Sequence, residues 1–341
     1  MLTPTLADLL TDAGITPLIY HLGRRVEPCM SDHFRAFEYQ QVAWSHPWQS
    51  QARVALVLTP APEREPIIWC LALPLDEQSM LVPAQRDGFL EQLAGTLQRA
   101  PDGHLSLDVA AEKLKNVAIA LQPEQLTLAL LHARIAHDMA LAPSQHYAFA
   151  RAYYLNAPKS GNWEQLGLQG IADLAVRRSN EDEATLAQHI PALSAQALKA
   201  LCDCLVHVPV RTPALLKALI ARHDMAAAHD NVLAQACMGA VLASDQDHAG
   251  LWMDSLLEQS PDAQTMAIMA VRGWHHLEHE RRPGSYLASS SHLAEHDFRI
   301  LVRDLTRIPR LRLPMIMAMK QAPAGSPLSR QIEAIQRERH E

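Results

Sequence analysis

Between Ser194 and Leu305 apolar residues recur with the period of an α-helix, which commits that stretch to amphipathic helices. Leu198, Leu201, Cys202 and Leu205 stand at i, i+3, i+4 and i+7, one face of one helix. Leu215, Leu216, Leu219 and Ile220 form a second stripe, and Leu233, Ala236, Cys237, Ala240 and Val241 a third. A longer stripe runs through Met266, Met269, Ala270, Gly273, Trp274 and Leu277, and Phe298, Leu301, Val302 and Leu305 continue the device. Pro191, Thr212-Pro213, Asp230, Ser244-Asp245, Ser260-Pro261 and Pro283-Gly284 punctuate the stripes as caps or first-turn signals, so the helices are brief and closely spaced. Ala195-Gln196, Ala234-Gln235 and Ala263-Gln264 recur at comparable places in successive helices, at an interval in the range of two-helix repeats. The expected fold class is mainly α: a small N-terminal α+β domain followed by a HEAT-like helical-repeat domain, a right-handed α-solenoid, with an irregular all-α domain as the alternative.

The first hundred residues follow a different pattern. Thr5 to Ala13 is a short helix by pattern, capped by Thr5 and ended by Gly14, and Ile15 to Leu22 is a strand broken by Gly23. A helix at Ser31 to Tyr39 precedes two apolar runs, Arg53 to Thr59 and Ile67 to Leu73, which flank a turn holding Pro60, Pro62 and Pro66 and predict a β-hairpin. A helix from Ala84 to Arg99 would cover one face of that sheet. Asp102-Gly103 marks a linker, after which no strand is expected. The predicted domains are therefore 1–102, α+β with a hairpin, and 103–341, all-α.

Composition narrows the classes of function. With 341 residues the chain is long enough for two cores. A hydrophobic content of 48% with 20% charged residues is that of a globular protein. The net charge of -7 repels nucleic acid and anionic lipid unless a local basic patch intervenes. No run approaches the roughly 20 apolar residues of a membrane span. Asp8 and Asp12 stand where a signal peptide would be basic and then apolar, so a cytoplasmic protein is expected. Five scattered cysteines without a CxxC pair predict small core residues, not a disulfide framework or a zinc ribbon.

Several motifs carry candidate chemistry. His275-His276-Leu277-Glu278-His279 and His292-Leu293-Ala294-Glu295-His296 both match H-x-x-E-H, the inverted zinc-protease pattern, so His275, His279, His292 and His296 are candidate metal ligands. Helix phase turns both pairs away from their cores, and the four are expected not to converge. Arg299, Arg303, Arg307, Arg310 and Arg312 form a basic stripe whose guanidinium forks suit phosphate or carboxylate, ending in a loop at Pro309 and Pro314. Arg24 and Arg25 follow the first strand and are candidate binding residues there. Lys159-Ser160-Gly161 lacks P-loop spacing. Gly167-Leu168-Gln169-Gly170 lies on an expected helix from Trp163 to Arg177, where its glycines serve close packing and Asp173 caps or pairs locally.

Two segments, Leu22-Gly23-Arg24-Arg25-Val26 and Trp163-Glu164-Gln165-Leu166-Gly167-Leu168-Gln169-Gly170-Ile171-Ala172-Asp173-Leu174, resemble a gammaproteobacterial family of similar length catalogued as a domain of unknown function. The resemblance implies a bacterial, cytosolic setting and no particular activity, cofactor or catalytic residue. With no reactive constellation found, the expected function is non-enzymatic: a scaffold or regulatory protein that binds a protein partner on a helical-repeat surface. The alternatives are nucleic-acid binding through the Arg299 to Arg312 stripe and a metal-dependent hydrolase built on the histidine pairs.

Overall fold

The computed structural model describes residues 5–59, 65–94, 112, 117–156 and 163–338. It is mainly helical, with one four-stranded antiparallel sheet near the N-terminus. The chain forms two compact units, the first running to Glu124 and including Arg307–Pro309, the second starting at Gln125.

In the first unit, α1 (Leu6–Asp12) begins with a capping box: the Thr5 hydroxyl accepts from the Asp8 N–H and the Asp8 carboxylate accepts from the Thr5 N–H, each at 3.0 Å. The helix ends where Gly14 adopts φ +79°, with Ile15 N–H donating to Leu10 O and Gly14 N–H to Thr11 O, the paired bonds of a Schellman motif. Then come β1 (Leu18–Leu22), β2 (Val26–Cys29), α2 (Ser31–Glu38), β3 (Gln51–Leu58), β4 (Ile67–Pro74) and α3 (Pro83–Ala94). The sheet order is β2-β1-β3-β4. The expected hairpin is present, in register from Gln51 opposite Pro74 to Leu58 opposite Ile67.

Strand β2 was not anticipated. It is four residues long, and it tolerates Pro28 because it is an edge strand. Nor does pairing stop before residue 102: Ala72 N–H donates to Ile119 O and Leu121 N–H to Cys70 O, which adds Ala120 to the free side of β4. The linker expected at Asp102-Gly103 lies outside the described residues. Leu6, Leu10, Phe34, Phe37, Trp44, Val54, Leu56, Trp69 and Leu71 fill the core from both helices and sheet.

The second unit contains α4 (Gln125–Asp138), α5 (Tyr147–Leu155), α6 (Leu168–Arg177), α7 (Asn180–His189), α8 (Ala195–Leu205), α9 (Pro213–Ala226) and α10 (Asn231–Leu242). It continues with α11 (Asp247–Leu257), α12 (Ala263–Arg272), α13 (Arg282–Ser290), α14 (Glu295–Arg307), α15 (Pro309–Lys320) and α16 (Pro327–Glu338). Each helix in the series α4, α6, α8, α10, α12 packs on the next, as do α5, α7 and α9 in turn, while α6 meets α5 and α10 meets α9 across the two series. The apolar stripes face inward: Leu198, Leu201, Cys202, Leu205, Leu215, Leu219, Met266, Met269, Phe298 and Leu305 are inaccessible to solvent.

Caps set where these helices begin. Ser194, Asp230 and Asp262 accept from the backbone N–H of Ala197, Leu233 and Thr265 at 3.2, 3.1 and 2.8 Å. Counted from those caps, Ala234-Gln235 sits one turn deeper than Ala195-Gln196 and Ala263-Gln264, so the three pairs do not mark equivalent positions. Gln264 nevertheless donates to Gln235 at 2.7 Å, joining α12 to α10.

Three local expectations are corrected. The helix expected over Trp163 to Arg177 is split into a 3₁₀ turn at Trp163–Gln165 and α6, because Gly167 takes an extended conformation as the residue before α6. Gly170 does serve packing: a Cβ there would fall 2.4 Å from His146 O. Asp173 is buried and accepts from the Ser144 N–H at 3.0 Å, which ties α6 to the segment before α5 instead of capping or pairing locally as expected. The segment expected as a loop at Pro309 and Pro314 is helix α15. Pro309 opens it, where a missing N–H costs nothing, and Pro314 is carried inside.

Candidate functional site

The two H-x-x-E-H copies fold differently. The helix carrying Met266 and Met269 stops at Arg272, and Trp274–Glu278 is a 3₁₀ helix, so helix phase projected from α12 fails at these histidines. His275 is half-buried, with Nε2 3.1 Å from Ser244 O and 3.3 Å from an Asp245 carboxylate oxygen, and His276 is buried. His279 is exposed. In the second copy His292 and His296 are both exposed, and an Arg299 Nη lies 3.3 Å from His296 Nδ1. Among the described residues, no group of three or more His, Cys, Asp or Glu side chains stands close enough to hold a metal ion.

One histidine from each copy, His279 and His292, lines a single cavity. The 3₁₀ turn and the connection to α13 bring His279 round to the side that His292 occupies just past the end of α13. The cavity measures about 540 Å³. Asp254 of α11 and Glu258 just past its end line one side, and the start of α13 supplies Arg281 and Arg282.

Arg282 is locked. Nε and Nη2 donate to the two Asp254 carboxylate oxygens at 2.8 and 3.0 Å, and Nη1 donates to His276 O at 3.2 Å. Gly250 makes the seat, since a Cβ there would fall 2.8 Å from Arg282 Nη1. Ser289 Oγ donates to Leu257 O and fastens α13 to α11. Arg281, by contrast, is exposed. The sequence reading missed Asp254, Glu258, Arg281 and Arg282. Pro283-Gly284 marked the helix start correctly, and two arginines just before such a mark were the available signal.

The candidate arginines divide. Arg24 is 1% exposed: Nε donates to Pro47 O at 3.2 Å and its guanidinium carbon lies 5.7 Å from the Trp48 ring centroid, so it braces the β1–β2 turn. Gly23 permits this approach, as a Cβ there would meet His46 O and Trp48 Cβ at 3.2 Å. Arg25 is half-buried. On α14, Arg303 is exposed while Arg299 and Arg307 are half-buried; on α15, Arg310 is exposed and Arg312 half-buried. An Arg310 Nη lies 3.4 Å from a Glu278 carboxylate oxygen. The segment Lys159-Ser160-Gly161 lies outside the described residues.

A second cluster of titratable rings occupies the first unit. The His21 ring lies 4.6 Å from both the Trp44 and His46 rings, and the His33 ring lies 6.0 Å from Trp44. Burial pushes His21 well below the usual imidazole range, with nearby His46 and His33 adding to the effect. His46 Nδ1 is 3.4 Å from a Glu27 oxygen. The cysteines offer no reactive thiolate here: burial pushes Cys29 up to about 12 and Cys70 up to about 11.

Fold and cavity together define a mainly helical protein with a small N-terminal antiparallel sheet and a polar cleft in its helical unit. The chain belongs to the family described as "Protein of unknown function (DUF3549)", which matches residues 3–336, nearly the whole chain and both segments that carry the resemblance. No curated protein and no solved structure matches it. Among the described residues no helix is long and apolar enough to cross a membrane.

Proposed function

We propose that this chain is a non-enzymatic, cytoplasmic bacterial interaction protein whose second unit is a HEAT-like helical repeat that docks a protein segment. The observation that carries this reading is the packing of alternate helices on one another, α4 through α12 in one series and α5 through α9 in the other. Helices stacked in this way offer an extended surface without requiring a reactive residue.

One face on that unit suits a partner. Along α15, Arg310, Leu313, Met317 and Lys320 stand at i, i+3, i+7 and i+10 and all are exposed, with Leu313 at 66% and Met317 at 46%. An apolar centre between two cations, about 15 Å apart at 1.5 Å per residue, fits an amphipathic helix with acidic residues about three turns apart. Methionine at the centre adapts to such a surface.

The test is a photo-crosslinking residue at position 317, introduced into the full chain in its native cells. A discrete protein adduct, lost when Leu313→Asp is added, is the expected result. A nucleic-acid adduct, or a cross-linking pattern unchanged by Leu313→Asp, counts against protein docking at this face.

A further inference from the structure

The rings gathered around Trp44 carry an inference independent of the docking face on α15. We propose that residues 41–48 form a strap latched over His21, and that mild acid releases the strap by charging His21, opening an apolar pocket on the core face of the sheet.

His21 occupies a position that strand alternation reserves for an apolar residue. It shares a face of β1 with Ile19 and stands opposite Val54, both core residues, and is 5% exposed. The wholly buried Trp44 ring lies 4.6 Å from it and also meets the Phe37 and Phe34 rings at 4.9 and 6.4 Å. His21 Nδ1, His33 Nε2 and Trp44 Nε1 are buried without a hydrogen-bond partner among the described residues. Ring packing therefore holds the latch, and a proton added at His21 Nδ1 finds no acceptor. The ends of the strap are strained: Gln40 before it has φ +56°, and Gln49 and Ser50 after it have +49° and +63°. None is glycine, so each holds a backbone conformation that side chains disfavour and that opening relieves. Between those ends Trp44 N–H donates to Ser79 O at 2.8 Å, and Pro47 O accepts from Arg24 Nε.

The charges around His21 set the trigger. Burial opposes a positive His21 most strongly, followed by His46 of the strap, whose ring is 4.6 Å away, and by His33 of α2. On β2, Glu27 stands opposite His21 in register, but its carboxylate lies 3.4 Å from His46 Nδ1. Arg24 and Arg25 add positive charge at the β1–β2 turn. Of the other charged residues on these elements, Arg53 of β3 alternates to the opposite face, Asp32 of α2 is exposed, Arg35 pairs with Asp8, and Glu38 accepts from the start of α1. A charged His21 thus meets more like charge than opposite charge. Above the ordinary imidazole value of 6.5 the ring is neutral whether the strap is closed or open. Below it the open strap lets His21 take a proton that the closed strap refuses, so release grows as pH falls. Glu38 lies outside the strap, and its opposing slope does not enter.

Hydrogen exchange of the full chain, corrected for the intrinsic rate, is followed as a function of pH at the Trp44 amide and at the β3–β4 ladder as reference. Below 6.5, Trp44 protection is expected to fall by up to about tenfold per pH unit while the ladder holds. Fluorine NMR of the chain labelled with 5-fluorotryptophan should show the Trp44 ring leaving its apolar site over the same range. His21→Gln abolishes this pH dependence. His46→Gln, at a half-buried position, makes it shallower, because one opposing cation is removed and Glu27 is freed to face His21. The proposal is overturned if Trp44 protection is independent of pH, or if the ladder loses as much protection as the strap. A pH response that neither variant alters overturns it as well.

Discussion

In the first unit Glu38 is buried among dipoles, whereas in the second unit Glu183 is buried against a full opposite charge. Glu38 accepts from the N–H groups of Leu6 and Ala7 at 2.8 and 2.9 Å, the positive start of α1, and Arg86 donates to its carbonyl instead, with Nη1 3.9 Å from the carboxylate. Burial wins over these partners and pushes the carboxyl up to about 7. Glu183 receives the buried Arg178 Nε at 2.9 Å, together with the N–H groups of Arg211 and Thr212. Arg178 in turn donates to the carbonyls of Ala175, Val208 and Pro209. Burial lowers Arg178 only to about 10, so it remains charged at neutral pH. Both carboxylates cross-link elements distant in sequence, but the first holds its charge marginally and the second depends on it. That difference separates the two units experimentally.

The comparison breaks most severely at Glu183. Glu183→Gln leaves Arg178 buried and charged without its counter-charge, and the helical unit is expected to lose about 3–5 kcal/mol. Hydrogen exchange resolved by residue should show the loss in α6 to α9 and leave the sheet of the first unit protected. Equal loss in both units would mean that the pair is not a device of the second unit alone. Next in size is Gly170→Ala, where the added Cβ meets a backbone carbonyl that cannot rotate away; a cost of about 1–3 kcal/mol is expected from denaturant midpoints. A neutral result would show that α6 shifts freely against the segment before α5.

The smallest effect is also the one that sharpens the contrast. Between the ordinary carboxyl value of 4.5 and about 7, folded Glu38 keeps a proton that the unfolded chain has released, so its contribution to stability is lost as pH rises. His21 acts in reverse: below 6.5 the unfolded chain takes up a proton that the buried ring refuses, so stability is lost as pH falls. The two slopes oppose each other between about pH 4.5 and 6.5, each at most about 1.4 kcal/mol per pH unit. His33, also lowered by burial, adds to the His21 side, so the first unit should show only a shallow pH dependence there. Glu38→Gln should leave stability rising with pH, and His21→Gln should leave it falling. Thermal or denaturant melts followed through exchange in the sheet check the signs, and two slopes of the same sign would refute the account.

Local rules were legible wherever the interacting atoms are neighbours in sequence. Thr5 and Asp230 cap helices through bonds that span three residues, as read from the sequence, whereas Ser194 and Asp262 also cap but were not singled out; the stripes from Leu198 to Leu305 face inward because a helix repeats within two turns. Strand β2 escaped notice because four residues containing Pro28 carry no alternation of their own; pairing with β1 makes them a strand. The histidine motifs misled for a related reason. The same H-x-x-E-H pattern occurs in a 3₁₀ turn and at the approach to α14, and the pattern does not record which.

The sequence by itself determined a helical protein with a small α+β start, the apolar faces of its helices and the caps at Thr5 and Asp230, since each follows from contacts within a turn or a hairpin. Only the tertiary structure decided that Arg24 braces a turn, that Glu38 reaches the start of α1, and that His279, Arg281, Glu258 and His292 share one cavity. Those placements depend on how helices pack across long intervals of chain, and on a Gly250 whose missing side chain has meaning only once Arg282 lies over it.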